Sequence, residues 1–234
     1  MYKKIKNSNK SFYKFFAFTL AEVVIVIGII GIVAELTIPT LISDFQKQTT
    51  VTELKKQYTS LAQAVKLSES ENGNVSTWDW GIANDTASIR KSFDTYWAPY
   101  LRISKFCNSY SDCCYEINYY KNLSNVLHPL CIYYPIYRTT VALIDGVILI
   151  VSSYKGDGDE HKKIIIDING AKKPNTSGKD VFFFVLDKDK GLVPEGYNES
   201  ESTMNNNCNK TSNNYYCATK IMRDGWQIKE DYPW

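Results

Sequence analysis

The feature that most constrains this chain is an unbroken apolar run near its N-terminus. Residues Val23 to Ala34 carry no polar side chain, and Glu22 and Glu35 bracket them. The apolar character extends over residues 15–42, more than the roughly 20 helical residues that cross the hydrocarbon core of a bilayer. Such a segment predicts a chain that is anchored in a membrane or exported through one.

The charges in front of this run predict its orientation. Residues 1–17 contain five Lys and no acid, although the whole chain has 27 Lys and Arg against 25 Asp and Glu. Because Lys clusters stay on the cytoplasmic side, we expect the N-terminus inside and everything after Leu41 outside. The excess positive charge lies in a short tail, so the composition does not support nucleic-acid binding by a basic fold.

Three interpretations of the apolar segment compete. A cleaved secretory signal needs a small-x-small site after the apolar core, and Ile32-Val33-Ala34 lacks the first small residue. A plain anchor has no use for Glu22, since an unpaired carboxylate at that depth costs a few kcal/mol. The third interpretation, a segment whose acid has a partner, is therefore favoured over the other two.

The residues around Glu22 resemble a known signature. The stretch Ala17-Phe18-Thr19-Leu20-Ala21-Glu22, followed by the Val/Ile/Gly run and by Pro39, is similar to the N-terminus of type IV pilins and type II secretion pseudopilins. The resemblance implies that a membrane prepilin peptidase cuts between Ala17 and Phe18 and methylates the new amine of Phe18. Most of that family has Gly where this chain has Ala17, which is still a small residue.

The resemblance also assigns Glu22 and Pro39 to assembly. The amine of Phe18 is a cation, and Glu22 of a neighbouring subunit is an anion, so pairing neutralises both inside an apolar filament core. Pro39 lacks an amide hydrogen and is expected to kink or locally melt the helix. Two roles stay open for Glu35, which either forms a second pair or extends to the membrane interface.

The rest of the chain predicts an α+β fold. Apolar residues recur at spacings of three and four, which indicates a helix with one apolar stripe, and Asn72-Gly73 is a helix stop. Together they predict one long helix over residues 18–71, with a second helix at residues 86–97. The stripe is formed by Val51, Leu54, Tyr58, Leu61 and Val65.

Strands are predicted at residues 139–144, 147–151, 163–168 and 181–186. The first two flank Asp145-Gly146, a two-residue hairpin signal, and residues 154–161 are interpreted as a solvated turn. The resulting plan is pilin-like, with a long N-terminal helix packed on a C-terminal antiparallel sheet. It has a leader peptide at 1–17, a transmembrane or filament-core helix at 18–42, an amphipathic spine helix at 43–72 and an extracytoplasmic globular domain at 73–234.

A calcium site is considered in the loop between the last two predicted strands. Some pseudopilins bind calcium in a C-terminal loop, and this loop offers the hard oxygen ligands that calcium takes. The spacing is not that of an EF-hand, and the alternative is that these residues only form turns and Asx caps. The candidate ligands are Asp167, Asn169, Asn175 and Asp180.

All six cysteines follow the apolar segment, where an exported chain is expected to form disulfides. Cys208 and Cys217 are predicted to pair, as pilins often do near the C-terminus. The other four are expected to pair among themselves, although adjacent Cys113 and Cys114 do not easily bond each other. Zinc is the rival interpretation, but no paired Cys-x-x-Cys motif is present. The remaining four are Cys107, Cys113, Cys114 and Cys131.

The sequence gives little support to catalysis. It has two His, His128 and His161, and no nucleophile elbow, Walker loop or zincin helix. We therefore expect a structural subunit of a type IV pilus or a type II secretion-like pseudopilus, without a cofactor. Within that class a minor subunit that initiates or tips the fibre is the runner-up. From another class, the alternative is a membrane-anchored exported binding domain or enzyme that does not polymerise.

The expected location is a single-pass membrane protein before assembly and a pilus or pseudopilus in the cell envelope or at the cell surface afterwards. Its expected partners are other pilin-like subunits in a homo- or heteropolymer, prepilin peptidase, an inner-membrane assembly platform and, before assembly, membrane lipid. DNA uptake is a task that such filaments serve, and nothing in the sequence indicates it here.

Overall fold

A computed structural model describes residues 18–107, 119–129, 138–156, 159–170 and 172–234. The chain divides into two compact units, Met1–Phe45 and Gln46–Trp234. We call the second unit the head. Each unit is described by itself below.

Helix α1 spans Leu20–Asn72 and contributes to both units. The helix ends where the sequence predicts. Gly73 has a φ of 81°, a backbone conformation that residues other than glycine rarely adopt. The prediction of one long helix over residues 18–71 is thus confirmed to within two residues. Pro39 lies inside α1, which is unbroken there, so the local melting that the sequence allows is not observed.

Within the head, α1 buries the predicted stripe. Leu54, Leu61 and Val65 are fully buried, and Val51 and Tyr58 pack against the same core from its margin. The periodicity therefore identified the correct face of the helix. A buried polar residue interrupts that face, where the side-chain amide of Gln57 donates to Asp145 Oδ2 at 2.7 Å.

The head contains a six-stranded antiparallel sheet in the order β1-β4-β5-β6-β7-β8. Strands β4 to β8 form a meander, and β1 pairs with the outer edge of β4. A separate antiparallel pair, β2 and β3, precedes β4 in the chain. The strands are β1 Ile103–Phe106, β2 Tyr119–Lys121, β3 Leu127–Pro129, β4 Arg138–Leu143, β5 Ile148–Gly156, β6 Asp159–Asp167, β7 Val181–Asp187 and β8 Gly191–Pro194.

Alternation along the strands separates two buried faces of this sheet. Leu149, Ile164 and Phe182 belong to the main core that α1 covers. Their neighbours Ile150 and Phe183 point to the opposite face, which is also buried. The sheet is therefore apolar on both sides, which explains why β5 to β7 read as almost continuous Val, Ile and Phe.

The β4–β5 hairpin forms where the sequence predicts, but its turn is longer than predicted. Leu143 N–H donates to Val147 O at 2.8 Å, so three residues rather than two lie between the paired positions. Gly146 has φ 89° and its N–H donates to Leu143 O, as in a type I turn closed by a glycine bulge. The Asp-Gly signal thus located the hairpin but not its register.

Residues 154–161 were also misread as a solvated turn. β5 continues to Gly156 and β6 begins at Asp159, so most of this stretch is paired strand. Residues 157–158 lie outside the described ranges.

The described part of the head also contains three α-helices after α1. α2 spans Thr86–Tyr96, close to the predicted 86–97, and its Ile89 and Phe93 are buried. α3 spans Glu201–Asn207 and α4 spans Cys217–Arg223, and the sequence analysis predicted neither. The described head is therefore an α+β arrangement in which helix α1 covers one face of an antiparallel sheet.

Candidate functional site

The described apolar residues of the first unit, from Phe18 to Phe45, are largely exposed. Phe18 is 83% exposed, and from Val23 to Phe45 each large apolar residue is at least 43% exposed. Helix α1 is long and apolar enough to cross a bilayer, and none of its apolar window is buried. A core helix of a soluble domain would be mostly buried, whereas a signal sequence near the N-terminus passes the same test of length and apolar composition.

Glu22 and Thr19 cap the start of α1 together. Glu22 Oε2 accepts hydrogen bonds from Thr19 N–H and from Thr19 Oγ1, each at 2.8 Å. In return, Glu22 N–H donates to Thr19 Oγ1 at 3.2 Å. This reciprocal pair is a capping box, which fixes where a helix begins. The spacing in Thr-Leu-Ala-Glu predicts a capping box, a signal that was not used in the prediction from sequence.

The other predicted assembly residues occupy open positions. Beside Gly28 and Gly31 no atom lies within 4 Å of where a Cβ would be, so their surfaces are free for close helix contact. Glu35 and Pro39 lie on the same exposed part of α1. Ala17, the residue before the predicted cut, lies outside the described residues.

The four candidate calcium ligands come together in the loop that joins β6 to β7. Asp167 ends β6, Asn169 and Asn175 follow in the loop, and Asp180 directly precedes β7. Ile168 N–H donates to Asp180 O at 2.9 Å, which closes the base of the loop. The sequence analysis therefore grouped residues that are neighbours in the fold.

Asp180 is the internal anchor of this loop. Its buried carboxylate accepts the N–H of Asn175 at 2.8 Å, the N–H of Thr176 at 2.5 Å and the side-chain amide of Asn169 at 3.1 Å. Burial raises the pKa of Asp180, while these donors act in the opposite direction. With three donors in place, Asp180 is already used to hold the loop.

Asp167 and Asn175 face a different group of oxygens. The end of the Asn175 side chain lies 2.9 Å from Lys172 O, 3.2 Å from Gly170 O and 3.3 Å from Asp167 Oδ2. An amide nitrogen placed there donates to these oxygens, whereas an amide oxygen placed there makes a fourth oxygen. Burial, reinforced by the charge of Asp180, raises the pKa of Asp167 to about 8.

This geometry is compatible with a hard cation. One carboxylate oxygen, two main-chain carbonyls and an amide oxygen are ligands that calcium takes. In the described part of the chain no three residues among His, Cys, Asp and Glu form a group that could hold a metal ion, so such a site has little negative charge. Calcium stays a prediction, with Asp167 and Asn175 as its side-chain ligands and Asn169 and Asp180 as support.

A disulfide closes the adjacent loop. Cys208 and Cys217, predicted as a pair, are bonded to each other and are both buried. Cys107 is also disulfide-bonded. The other predicted candidates, Cys113, Cys114 and Cys131, lie outside the described residues.

The C-terminal segment binds these two loops to each other. The buried Tyr232 hydroxyl donates to Gly178 O at 2.5 Å, and a Cβ at Gly178 would lie 3.1 Å from Cys217 Sγ. Lys220 is buried and contacts Asp231 Oδ2 at 2.5 Å and Asn205 Oδ1 at 3.1 Å. The loop after β6, the disulfide and the C-terminus therefore form one packed region of the head.

A family model described as a family of unknown function (DUF6613) matches residues 40–234. The chain belongs to this family. The DUF6613 match covers the head and begins inside α1, near the end of the apolar segment, so residues 1–39 lie outside it. No curated protein matches the chain, and no solved structure does either.

Proposed function

We propose that this chain is a pilin-like structural subunit of a type IV pilus or a type II secretion-like pseudopilus. It is made as a membrane prepilin, cut between Ala17 and Phe18, N-methylated at Phe18 and assembled through the exposed part of α1. It acts by assembly and not by catalysis. Its fold is then the pilin-like version of the observed α+β arrangement.

The observation that carries the proposal is the contrast between a complete head core and an uncovered apolar helix. The head buries its own apolar stripe, including Leu54 and Leu61, whereas Ile27 and Ile30 are 64% and 60% exposed. Exposing this much apolar surface to water is unfavourable at about 25 cal/mol per Å². Lipid before assembly and neighbouring helices afterwards both provide the cover that this segment lacks.

Glu22 supports assembly over simple anchoring. In a single subunit its carboxylate is satisfied by Thr19, so it can be held at the edge of an apolar segment at reduced cost. A free amine on Phe18 of a neighbouring subunit adds a cation at similar depth. When Glu22 pairs with this amine, the favoured offset between neighbouring subunits is the one that leaves neither charge unpaired.

The proposal places the N-terminus in the cytoplasm and the head outside the membrane. Its partners are prepilin peptidase, an inner-membrane assembly platform and other pilin-like subunits, in a homo- or heteropolymer. The alternative is an anchored exported binding domain or enzyme that never polymerises. Its own prediction is that surface level and activity are independent of Glu22.

The test is the substitution Glu22→Ala in cells that make the filament. Removing one partner of a buried ion pair costs about 3–5 kcal/mol, which corresponds to at least a hundredfold loss in a subunit contact. We expect filaments to be lost or deranged, as counted by electron microscopy, while the membrane-inserted subunit is still present on immunoblots.

Glu35→Ala is the matched control, because it also removes an acid from exposed α1 but lies near the outer end of the apolar run. Normal filaments from Glu22→Ala would contradict the proposed pairing. Loss of filaments from Glu35→Ala as well would identify Glu35 as a second pairing residue.

A further inference from the structure

Five lysines lie on one surface of the head, which we call the lysine base. Four of them are exposed, and Lys179 is half-buried. They come from the loop after β6, from the β2–β3 hairpin and from the disulfide loop. The lysine base consists of Lys121, Lys172, Lys173, Lys179 and Lys210.

Hydrogen bonds between the loops bring these lysines together. Lys121 N–H donates to Asn175 O at 2.9 Å, and Ser177 N–H donates to Lys121 O at 2.8 Å, so the hairpin is paired with the loop after β6. The hydroxyl of Ser124 contacts Lys210 O, which joins the disulfide loop to the same hairpin. Burial and the neighbouring charge of Lys210 lower the pKa of Lys179.

The lysine base makes no side-chain ion pair within the described ranges. The ion pairs of those ranges involve other lysines and Arg90. Asp180, whose charge acts on Lys179, is buried and turned toward the N–H groups of its own loop. The exposed surface of this region is therefore basic.

The lysine base lies at the end of the head where the chain leaves the apolar segment. Thr50 Oγ1 donates to Lys179 O at 3.2 Å, which joins the first turns of the head's helix to this surface. Thr50 is eight positions after Ile42 in the chain. However the two units are arranged, that length of chain spans at most roughly 28 Å.

The opposite end of the head's helix includes acidic residues. Glu69 and Glu71 lie in its last turn, about 30 Å from Thr50 at the standard rise. Asp79 and Asp85 follow in the next loop. Lys66 lies one turn before Glu69, so this end of the helix carries charges of both signs.

We propose that the lysine base binds anionic lipid headgroups at the outer surface of the bilayer before the subunit is assembled. This rests on the proposed function only for membrane insertion and topology. Basic clusters close to a membrane span are attracted to anionic lipid within about a Debye length of the surface. The contact would hold the head against the membrane until extraction into the filament replaces lipid with protein.

Lipid fits this surface better than single-stranded nucleic acid. Recognition of single strands relies on free aromatic faces. Here the Trp234 ring lies under the Lys179 ammonium at 5.0 Å, and the Tyr215 ring lies under Lys163 at 4.6 Å. These two rings are therefore covered by lysine ammonium groups, whereas Lys121, Lys172, Lys173 and Lys210 are exposed.

The test measures how fast each lysine reacts when the mature full chain is reconstituted in nanodiscs. One set of discs contains phosphatidylcholine alone, and the other contains phosphatidylcholine mixed with phosphatidylglycerol. An amine-acylating reagent and peptide mass spectrometry give a rate for each site. We expect Lys172, Lys173 and Lys210 to react about threefold more slowly in anionic discs, and 1 M salt to remove the difference.

Lys66 and Lys91 are the internal controls, because both are exposed and distant in sequence from the lysine base. Their rates should be equal in the two kinds of disc. The triple variant Lys172→Gln, Lys173→Gln, Lys210→Gln should abolish the protection of Lys121, with folding checked by urea unfolding. Retained protection of Lys121 in that variant would overturn the proposal.

Two other results would also overturn it. Equal rates in neutral and anionic discs would show that the headgroup charge is irrelevant, and protection by added oligonucleotide but not by anionic lipid would assign the surface to nucleic acid. A chain that fails to float with the discs would instead contradict the membrane insertion in the proposed function. The two failures are therefore distinguishable.

Discussion

Helix α1 contains two apolar regions that differ in what covers them. From Val51 to Val65 its apolar side chains are buried by the sheet and the C-terminal segment of the same chain. From Val23 to Ile42 they are exposed on every side. One half of the helix thus completes the core of the head, and the other half is left exposed by the part of the chain that the structure describes.

The polar residues on the two halves follow the same division. In the head, the buried Gln57 is paired with Asp145 across the core. In the exposed half, the carboxylate of Glu22 accepts hydrogen bonds from Thr19, the residue that caps the start of the helix. A local pair of this kind leaves the surrounding surface free, which suits a segment whose partners arrive later.

Truncation of a core residue gives the largest expected difference between the two halves. Leu61→Ala should lower the free energy of unfolding of the head by about 2–5 kcal/mol, because it leaves a cavity in a packed core. Ile30→Ala removes a similar side chain from the exposed half and should leave head unfolding unchanged. Urea unfolding in detergent, followed by the fluorescence of the head's tryptophans, measures both. An equal loss from Ile30→Ala would mean that the head also covers that region.

A smaller effect is expected from pH, and only in the head. The pKa of Asp167 is about 8 in the folded chain against an ordinary 3.8, so the folded state binds the extra proton between these values. In the presence of chelator, the stability of the head should therefore fall as pH rises from about 4 to 8. Thermal melting across this range measures it. Asp167→Asn should flatten the curve, while the exposed Asp189→Asn should not; an unchanged slope in Asp167→Asn would remove the assigned cause.

Bound calcium should reduce the dependence of the head's stability on pH. A cation bound by Asp167 and Asn175 replaces the proton, so it should raise the melting temperature more at pH 8 than at pH 5. Asn175→Ala should remove the response, and the comparison with chelator provides the baseline. Absence of any calcium-dependent shift at pH 8 would eliminate the metal site and leave the loop as a hydrogen-bonded turn.

The smallest difference is expected between two glycines with positive φ. Gly178→Ala forces a Cβ to 3.1 Å from Cys217 Sγ and Tyr232 Oη, whereas Gly146→Ala has the same backbone penalty but open space. Both should cost about 1 kcal/mol for the backbone, and Gly178→Ala about 1–2 kcal/mol more for crowding. Urea unfolding of the two variants measures the difference. Equal losses of unfolding free energy would show that the side chains around Gly178 shift to accommodate a Cβ at little cost.

The sequence predicted best what depends on local periodicity. The stripe from Val51 to Val65 and the Asn72-Gly73 stop follow from side-chain spacing and backbone freedom, and the structure has both. The β4–β5 hairpin was located, but its three-residue turn was not, because Asp-Gly suits either a two-residue turn or the end of a longer one. Helices α3 and α4 were missed because they are short and rely on tertiary contacts such as the disulfide.

The sequence predicted which residues form the candidate site, but not what each of them does there. Asp167, Asn169, Asn175 and Asp180 do share one loop, yet only the fold shows that Asp180 is used by backbone donors while Asp167 faces carbonyl oxygens. The lysine base could not be predicted from the sequence for a similar reason. Its five residues come from three separate stretches, and only the pairing of Lys121 with Asn175 and Ser177 brings those stretches together.

Mass spectrometry of the mature N-terminus tests the central claim most directly. We predict that the protein purified from membranes or filaments begins at Phe18 and carries one methyl group on its amine. Loss of the five-Lys leader would also change the formal side-chain charge from +2 to −3. A protein that still begins at Met1, or that begins at Glu35 after signal-peptide cleavage, would contradict the account.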